Sequence, residues 1–184
     1  TERLALLRSL GRSPLPRLVE AMARSWETLP PWGRTAIAQL SAVDGPFPLA
    51  LAELAFDLPD DAPESLDVVS ALHERSLLRL VSTSGGSRFA VMAQACTHAR
   101  EALPDVVVAT RRRLARVMAD RYQPLQDGRP VVARLEELRI LHDHVLAIAT
   151  HALEAGDVDT ALELATMDGW IRGYNGPVAP GLAF

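Results

Sequence analysis

Ser25-Trp26-Glu27-Thr28-Leu29-Pro30-Pro31-Trp32-Gly33-Arg34 opens the stretch that decides the fold, and Thr97-His98-Ala99-Arg100-Glu101-Ala102-Leu103 closes it. Between them lie apolar runs at helical spacing and then two alternating runs separated by Ser84-Gly85-Gly86-Ser87. Leu18, Met22, Trp26 and Leu29 recur at intervals of four, four and three, the stripe of an amphipathic helix. Pro30-Pro31 breaks it, and Pro31 suits the first turn of the next helix, where a missing N–H costs nothing. Trp32, Ala36, Ile37, Leu40 and Val43 are the expected buried face of that helix. Asp44-Gly45-Pro46 is a turn. Phe47 to Phe56 reads as a short apolar helix, and Glu64 to Arg75 as another, with Leu66, Val69, Ala71 and Leu72 inward. Leu77 to Thr83 alternates as a strand should. The paired glycines accept positive φ and make a hairpin turn, and Arg88 to Met92 is the return strand. Ala93 to Leu103 is a closing helix. Helices followed by a β-wing define a winged helix, here residues 18–103. Trp26, Trp32, Phe47, Leu77 and Phe89 are its expected structural anchors. Trp32→Ala is expected to cost ~3–5 kcal/mol if Trp32 is a core residue.

The second half reads as helical throughout. Val106 to Tyr122 carries Val107, Leu114, Val117 and Met118 as a stripe. Gln126 to Pro130 separates it from a long helix, Val131 to Ala155, with Leu135, Leu138, Leu141 and Val145 on one face. Gly156-Asp157 ends that helix and caps the next. Ala161, Leu162 and Ala165 are small or apolar and suit close helix approach. The pattern Gly-Asp-x-x-x-Ala-Leu-x-x-Ala after a long amphipathic helix is that of tetratricopeptide-like hairpins, which need about three units for stability. Residues 104–184 are therefore expected to begin such an array. Residues 1–17 read as the tail of a preceding helical subdomain or a linker. The chain lacks an initial Met and stops at Phe184 in mid-pattern, as a piece excised from a longer protein would. The expected fold class is mainly α: a winged helix with a short β-hairpin, then antiparallel helical hairpins.

Composition narrows the function. All 19 basic residues are Arg, and without Lys no phosphate-binding loop of the GxxxxGK[ST] type can exist in this stretch. The formal net charge is −4, the wrong sign for a nucleic-acid ligand. Between Pro31 and Leu103 five Arg face nine Asp or Glu, and the would-be recognition helix carries Glu64, Asp67 and Glu74 against Arg75. The single cysteine, Cys96, excludes an internal disulfide and fits a cytoplasmic protein. No apolar run reaches the ~20 residues of a membrane span, so no membrane partner is expected.

No catalytic constellation stands out. Ser25, Ser76 and Cys96 have no orienting His at motif spacing. His142, His144 and His151 do not share a helical face at chelating distance, so no metal site is expected. Arg111-Arg112-Arg113 with Arg116 is the one basic cluster. Arg112, Arg113 and Arg116 share a helical face. These four are the candidate partner-binding residues, against the alternative of a solvated face paired with nearby acids.

These motifs, in this order, resemble the winged-helix region of bacterial STAND-class signalling ATPases, the AfsR-like, NB-ARC-type group. The carriers are Ser25-Trp26-Glu27-Thr28-Leu29, Pro31-Trp32-Gly33-Arg34, Gly45-Pro46-Phe47, Leu72-His73-Glu74-Arg75-Ser76-Leu77-Leu78 and Ala99-Arg100-Glu101-Ala102-Leu103. The resemblance implies a nucleotide-binding domain upstream, a repeat array downstream, and a winged helix that relays state between them by docking. It implies no catalysis and no cofactor in this segment. Some members of that group carry a Met-His-Asp triplet after the wing whose His reads the ADP phosphate. The matching positions here are Val91, Met92 and Ala93. Met donates no hydrogen bond, so the resemblance stops short of direct nucleotide sensing. Two other readings remain open from the residues: a DNA-binding winged helix of a transcription regulator, and a stand-alone helical adaptor.

Overall fold

The computed structural model describes residues 24–83, 86–122 and 132–175. The expectations for residues 1–17, Leu18 and Met22, the Ser84-Gly85 turn and the Gln126–Pro130 connection lie outside them. The described chain is mainly helical, with one two-stranded antiparallel sheet and helical hairpins. Residues 24–27 are helical. Then come α1 (Pro31–Leu40), α2 (Leu49–Ala55), α3 (Ser65–Glu74), β1 (Leu78–Thr83), β2 (Gly86–Val91), α4 (Ala93–Ala102), α5 (Pro104–Tyr122), α6 (Val132–Glu154) and α7 (Val158–Asn175). Among these residues no helix is long and apolar enough to cross a membrane.

The Pro30-Pro31 break is held by its own motif. A Cβ on Gly33 would come 3.3 Å from side-chain atoms of Leu29 and Pro30, so a larger residue here would have to push one of them aside by a few tenths of an ångström. Arg34 then reaches back, donating from Nε to the Trp26 carbonyl at 3.2 Å and from Nη2 to the Glu27 carbonyl at 2.7 Å. Trp26 meets the His98 ring edge-on, with centroids 4.9 Å apart, fixing this segment to α4.

Phe47 is not helical. Its backbone exchanges two hydrogen bonds with Phe89, at 2.7 and 2.8 Å, and forms an isolated antiparallel bridge at the edge of β2. Pro48 precedes the first turn of α2, so the helix starts at Leu49. A short extended segment thus lies between α1 and α2 and joins the hairpin. In the hairpin Leu78 pairs with Val91 and Thr83 with Gly86, so Gly86 and Ser87 belong to β2 rather than to the turn.

Phe47, Ile37, Leu40, Leu51, Leu72, Leu77 and Leu78 are fully buried. Trp26, Trp32 and Phe89 are half-buried at the margin of this core. On α3 the buried stripe is Val68, Val69 and Leu72. Leu66, expected inward, is 57% exposed. At 100° per residue it lies about 110° from the centre of that stripe. Leu80 is also exposed.

α5 is the shared helix. It packs against α1, α2 and α4 on one side and against α6 and α7 on the other. Leu114 and Met118 of α5 continue the core into Leu141, Val145, Leu164 and Met167. α6 and α7 form a close antiparallel hairpin. Gly156 at φ 81° ends α6. The N–H groups of Gly156 and Asp157 return to Leu153 and Ala152, and Asp157 Oδ1 accepts from the Thr160 N–H to start α7. The face α7 turns inward is Ala161, Leu164 and Met167. Leu162, expected to pack there, is exposed along with Ala165, because the buried stripe advances by three from Ala161.

Candidate functional site

The two halves meet at the turn Asp44-Gly45-Pro46. Arg100 of α4 donates from Nε to the Ser41 carbonyl at 2.8 Å and from Nη2 to Asp44 Oδ1 at 3.0 Å. His151 of α6 places Nε2 2.8 Å from Asp44 Oδ2, and its Nδ1 is 3.3 Å from Glu154. One carboxylate therefore ties the turn, α4 and α6 together. Burial alone would raise its pKa. The hydrogen bonds from His151 and Arg100 outweigh that and hold Asp44 below the ordinary carboxylate value.

Two turns back along α6, His144 lies against the Asp44 and Pro46 backbone and is only 3% exposed. Its Nε2 has no hydrogen-bond partner. Burial pushes its pKa down and the charge of Arg88 pushes it further, and together they outweigh the opposing effects of Asp143 and of the Pro46 and Asp44 backbone, which favour the protonated ring. Arg88, on β2, is itself buried and donates to the Ile140 carbonyl at 3.0 Å. Its distance to the exposed carboxylate of Asp143 is 3.9 Å, a weak pair. The hairpin is thus held from its second face by α6. Beside the turn lies a cleft of about 190 Å³ bounded by Asp44, Pro46, Arg79, Val91, Cys96 and Arg100, smaller than a drug-sized ligand needs.

The arginine cluster does not present one surface. Arg113 donates to the carbonyls of Leu54, Ala55 and Phe56 and so caps the C-terminus of α2. Arg111 reaches the Ala42 carbonyl at 3.4 Å. Arg112 and Arg116, one turn apart, are exposed. The acidic residues stand elsewhere. Asp57, Asp60, Asp61, Glu64 and Asp67 are exposed around the start of α3. Among the described residues no ion pair engages them. No group of three His, Cys, Asp or Glu able to hold a metal is found among the described residues. Val91, Met92 and Ala93 run from the end of β2 into α4, with the Met92 N–H donating to the Leu77 carbonyl.

Sequence reasoning missed Arg88, Arg100, Gln39 and the contact of His144 with the turn. Gln39 is buried and pins residue 57, Nε2 donating to the Asp57 carbonyl at 3.0 Å and Oε1 accepting its N–H at 3.1 Å. A Gln inside an apolar helical stripe was its only local signal.

No family model, no curated protein and no solved structure matches this chain.

Proposed function

We propose that this chain is a non-catalytic coupling module of a signal-transduction ATPase or transcriptional regulator: a winged helix followed by the start of a tetratricopeptide-like array. It relays state between an upstream nucleotide-binding domain and downstream repeats through protein docking. The observation that carries the reading is the order helix, bridged strand, helix, helix, hairpin, with the Phe47–Phe89 bridge supplying the short extended segment between the first two helices. That is the element order of a winged helix.

Charge supports docking to protein over DNA. From Asp44 to Glu74 the chain has eight acidic residues and no Arg, so the α2–α3 surface repels phosphate. Exposed Leu146, Leu153, Val158 and Leu162 on the α6–α7 hairpin support stacking by a further hairpin. Coupling requires a rigid unit with two docking options whose balance a ligand can bias. The continuous core through α5 supplies the rigidity.

The test reads roughly 250 codons upstream of the Thr1 codon, the scale of one domain. The separately expressed upstream product is then titrated with this chain in ADP and in ATP. An in-frame phosphate-binding loop and nucleotide-dependent affinity are expected. An unrelated upstream frame overturns the reading. So does a salt-dependent duplex affinity lost in Arg112→Ala/Arg116→Ala, which would establish the DNA-binding alternative.

A further inference from the structure

We propose that the outer edge of β1 takes up an extended, acidic segment of another protein as a further strand of the sheet. The inference goes beyond the coupling reading and does not depend on it.

The register decides which way each backbone group points. Phe47 and Phe89 exchange both of their hydrogen bonds, so the N–H and C=O of Phe89 face away from β1. Successive residues of an antiparallel strand alternate in this direction. The ladder bonds to β1 therefore come from Ala90 and Arg88, paired with Arg79 and Val81. The Met92 N–H, bonded to the Leu77 carbonyl at 2.9 Å, continues the same alternation. Leu78, Leu80 and Ser82 are left pointing outward. The Leu78 carbonyl accepts from His73 Nδ1 of α3 at 3.1 Å, as an outward carbonyl can. Among the described residues no bond reaches the N–H or C=O of Leu80 or Ser82. Leu80 is 53% exposed and Ser82 is exposed, so water reaches the edge there. The strand also lacks the usual guards of an edge. Its register is unbroken by a bulge, it holds no Pro, and its one charge is Arg79.

Charge selects the occupant. Arg79 is exposed and makes no ion pair among the described residues. It bounds the cleft beside the 44–46 turn with Arg100 and Asp44. Asp44 is already held by Arg100 and His151, so it does not answer the charge of Arg79. An antiparallel strand bonded at Leu80 sets the residue opposite Leu80 on the Leu80 face, and its neighbours, opposite Arg79 and Val81, on the other. The matching segment therefore alternates, with an aliphatic side chain against Leu80 and a carboxylate against Arg79. Main-chain bonds give such a complex its affinity, and the alternate side chains its selectivity. A second copy of this chain is a poorer match, because antiparallel self-pairing centred on Leu80 sets Val81, not an acid, against Arg79.

Titration of the whole chain with an N-acetylated peptide as long as β1, alternating valine and glutamate, tests this beside its valine–lysine counterpart, with amide exchange read by NMR. The glutamate peptide is expected to slow exchange at Leu80 and Ser82 about tenfold and to leave Arg79 and Val81, already bonded to β2, unchanged. It should bind about fivefold more tightly than the lysine peptide, and Arg79→Ala should weaken it about two- to fivefold. Ser82→Pro deletes an outward N–H and no bond to β2, at a position where an edge strand tolerates Pro. It is expected to lower the affinity about five- to tenfold with the hairpin intact. Should Ser82→Pro fail to fold, the alternating protection in the unaltered protein decides. Equal affinity for the two peptides overturns the proposal, as does protection outside β1 or no binding at about 5 mM peptide. Slow exchange at Leu80 and Ser82 without peptide, relieved on dilution, overturns it by giving the edge to a second copy of this chain.

Discussion

Ser76 shows how much one residue can disclose. It stands at φ 60°, the left-handed region that disfavours a side chain. The reason is helix termination. The Leu77 N–H returns to the Leu72 carbonyl and the Ser76 N–H to the His73 carbonyl, the paired bonds of a Schellman ending, with Leu72 and Leu77 both buried beneath it. Glycine would meet the same geometry without strain, as Gly156 does at the end of α6. Ser76→Gly is therefore expected to raise unfolding stability by about 0.5–1 kcal/mol, measured in denaturant. Phe47 and Trp32 separate on the same scale. Phe47 is fully buried and Trp32 half-buried. Phe47→Ala should cost ~3–5 kcal/mol. Trp32→Ala should cost less, about 1–3 kcal/mol, below what a core anchor would lose. If Trp32→Ala proves the worse of the two, the packing described for α1 is wrong.

At the scale of elements, α2 is the instructive case. It has seven residues, no side-chain N-cap and no basic residue in its last turn. An isolated helix that short is unstable in water. Arg113 of α5 supplies what it lacks by donating to three of its terminal carbonyls. Arg113→Ala is expected to destabilise the fold by about 1.5–3 kcal/mol. Arg112→Ala, on the exposed side of the same helix, should stay within about 0.5 kcal/mol. Thermal or denaturant unfolding of the two variants checks this, and equal losses would refute the capping role. The contrast also bears on any binding assay. Loss of affinity in Arg113→Ala reports on α2, whereas Arg112 and Arg116 can be changed without touching the core.

For the whole molecule the question is what joins the α1–α4 unit to the α6–α7 hairpin. α5 supplies apolar contact to both, and Asp44 supplies the polar tie. Asp44→Asn is expected to lower the melting temperature at neutral pH. Because the folded-state pKa of Asp44 lies below the ordinary value of 3.8, the stabilisation is present above that value and is lost as the pH falls through the folded pKa. The difference in melting temperature between Asp44→Asn and the unaltered protein should therefore close in strong acid. A difference independent of pH would mean that shape, not charge, makes the tie.

Helix order, the hairpin and the Gly156-Asp157 corner were legible because each is a local pattern: a 3.6-residue period, an alternation, or a residue suited to positive φ. The polar ties were not. Arg100 and Arg113 bond to carbonyls more than fifty residues away, and an arginine that will cap a distant helix has the same neighbours in sequence as one that faces solvent. The exposure of Leu66 and Leu162 went astray for a related reason. Periodicity finds an apolar stripe, but which edge of it is covered depends on where the neighbouring helix crosses.

The amino-acid sequence by itself determined that this chain is mainly helical with one hairpin, that its middle is acidic, and that all its cations are arginines, because these follow from composition and short-range periodicity. Only the tertiary structure decided that Phe47 bridges to Phe89, that two of the four clustered arginines are committed to backbone carbonyls, and that His144 lies buried against the Asp44 turn. Those facts depend on contacts between residues far apart in the chain, where burial and partner geometry, not residue type, set what a side chain can do.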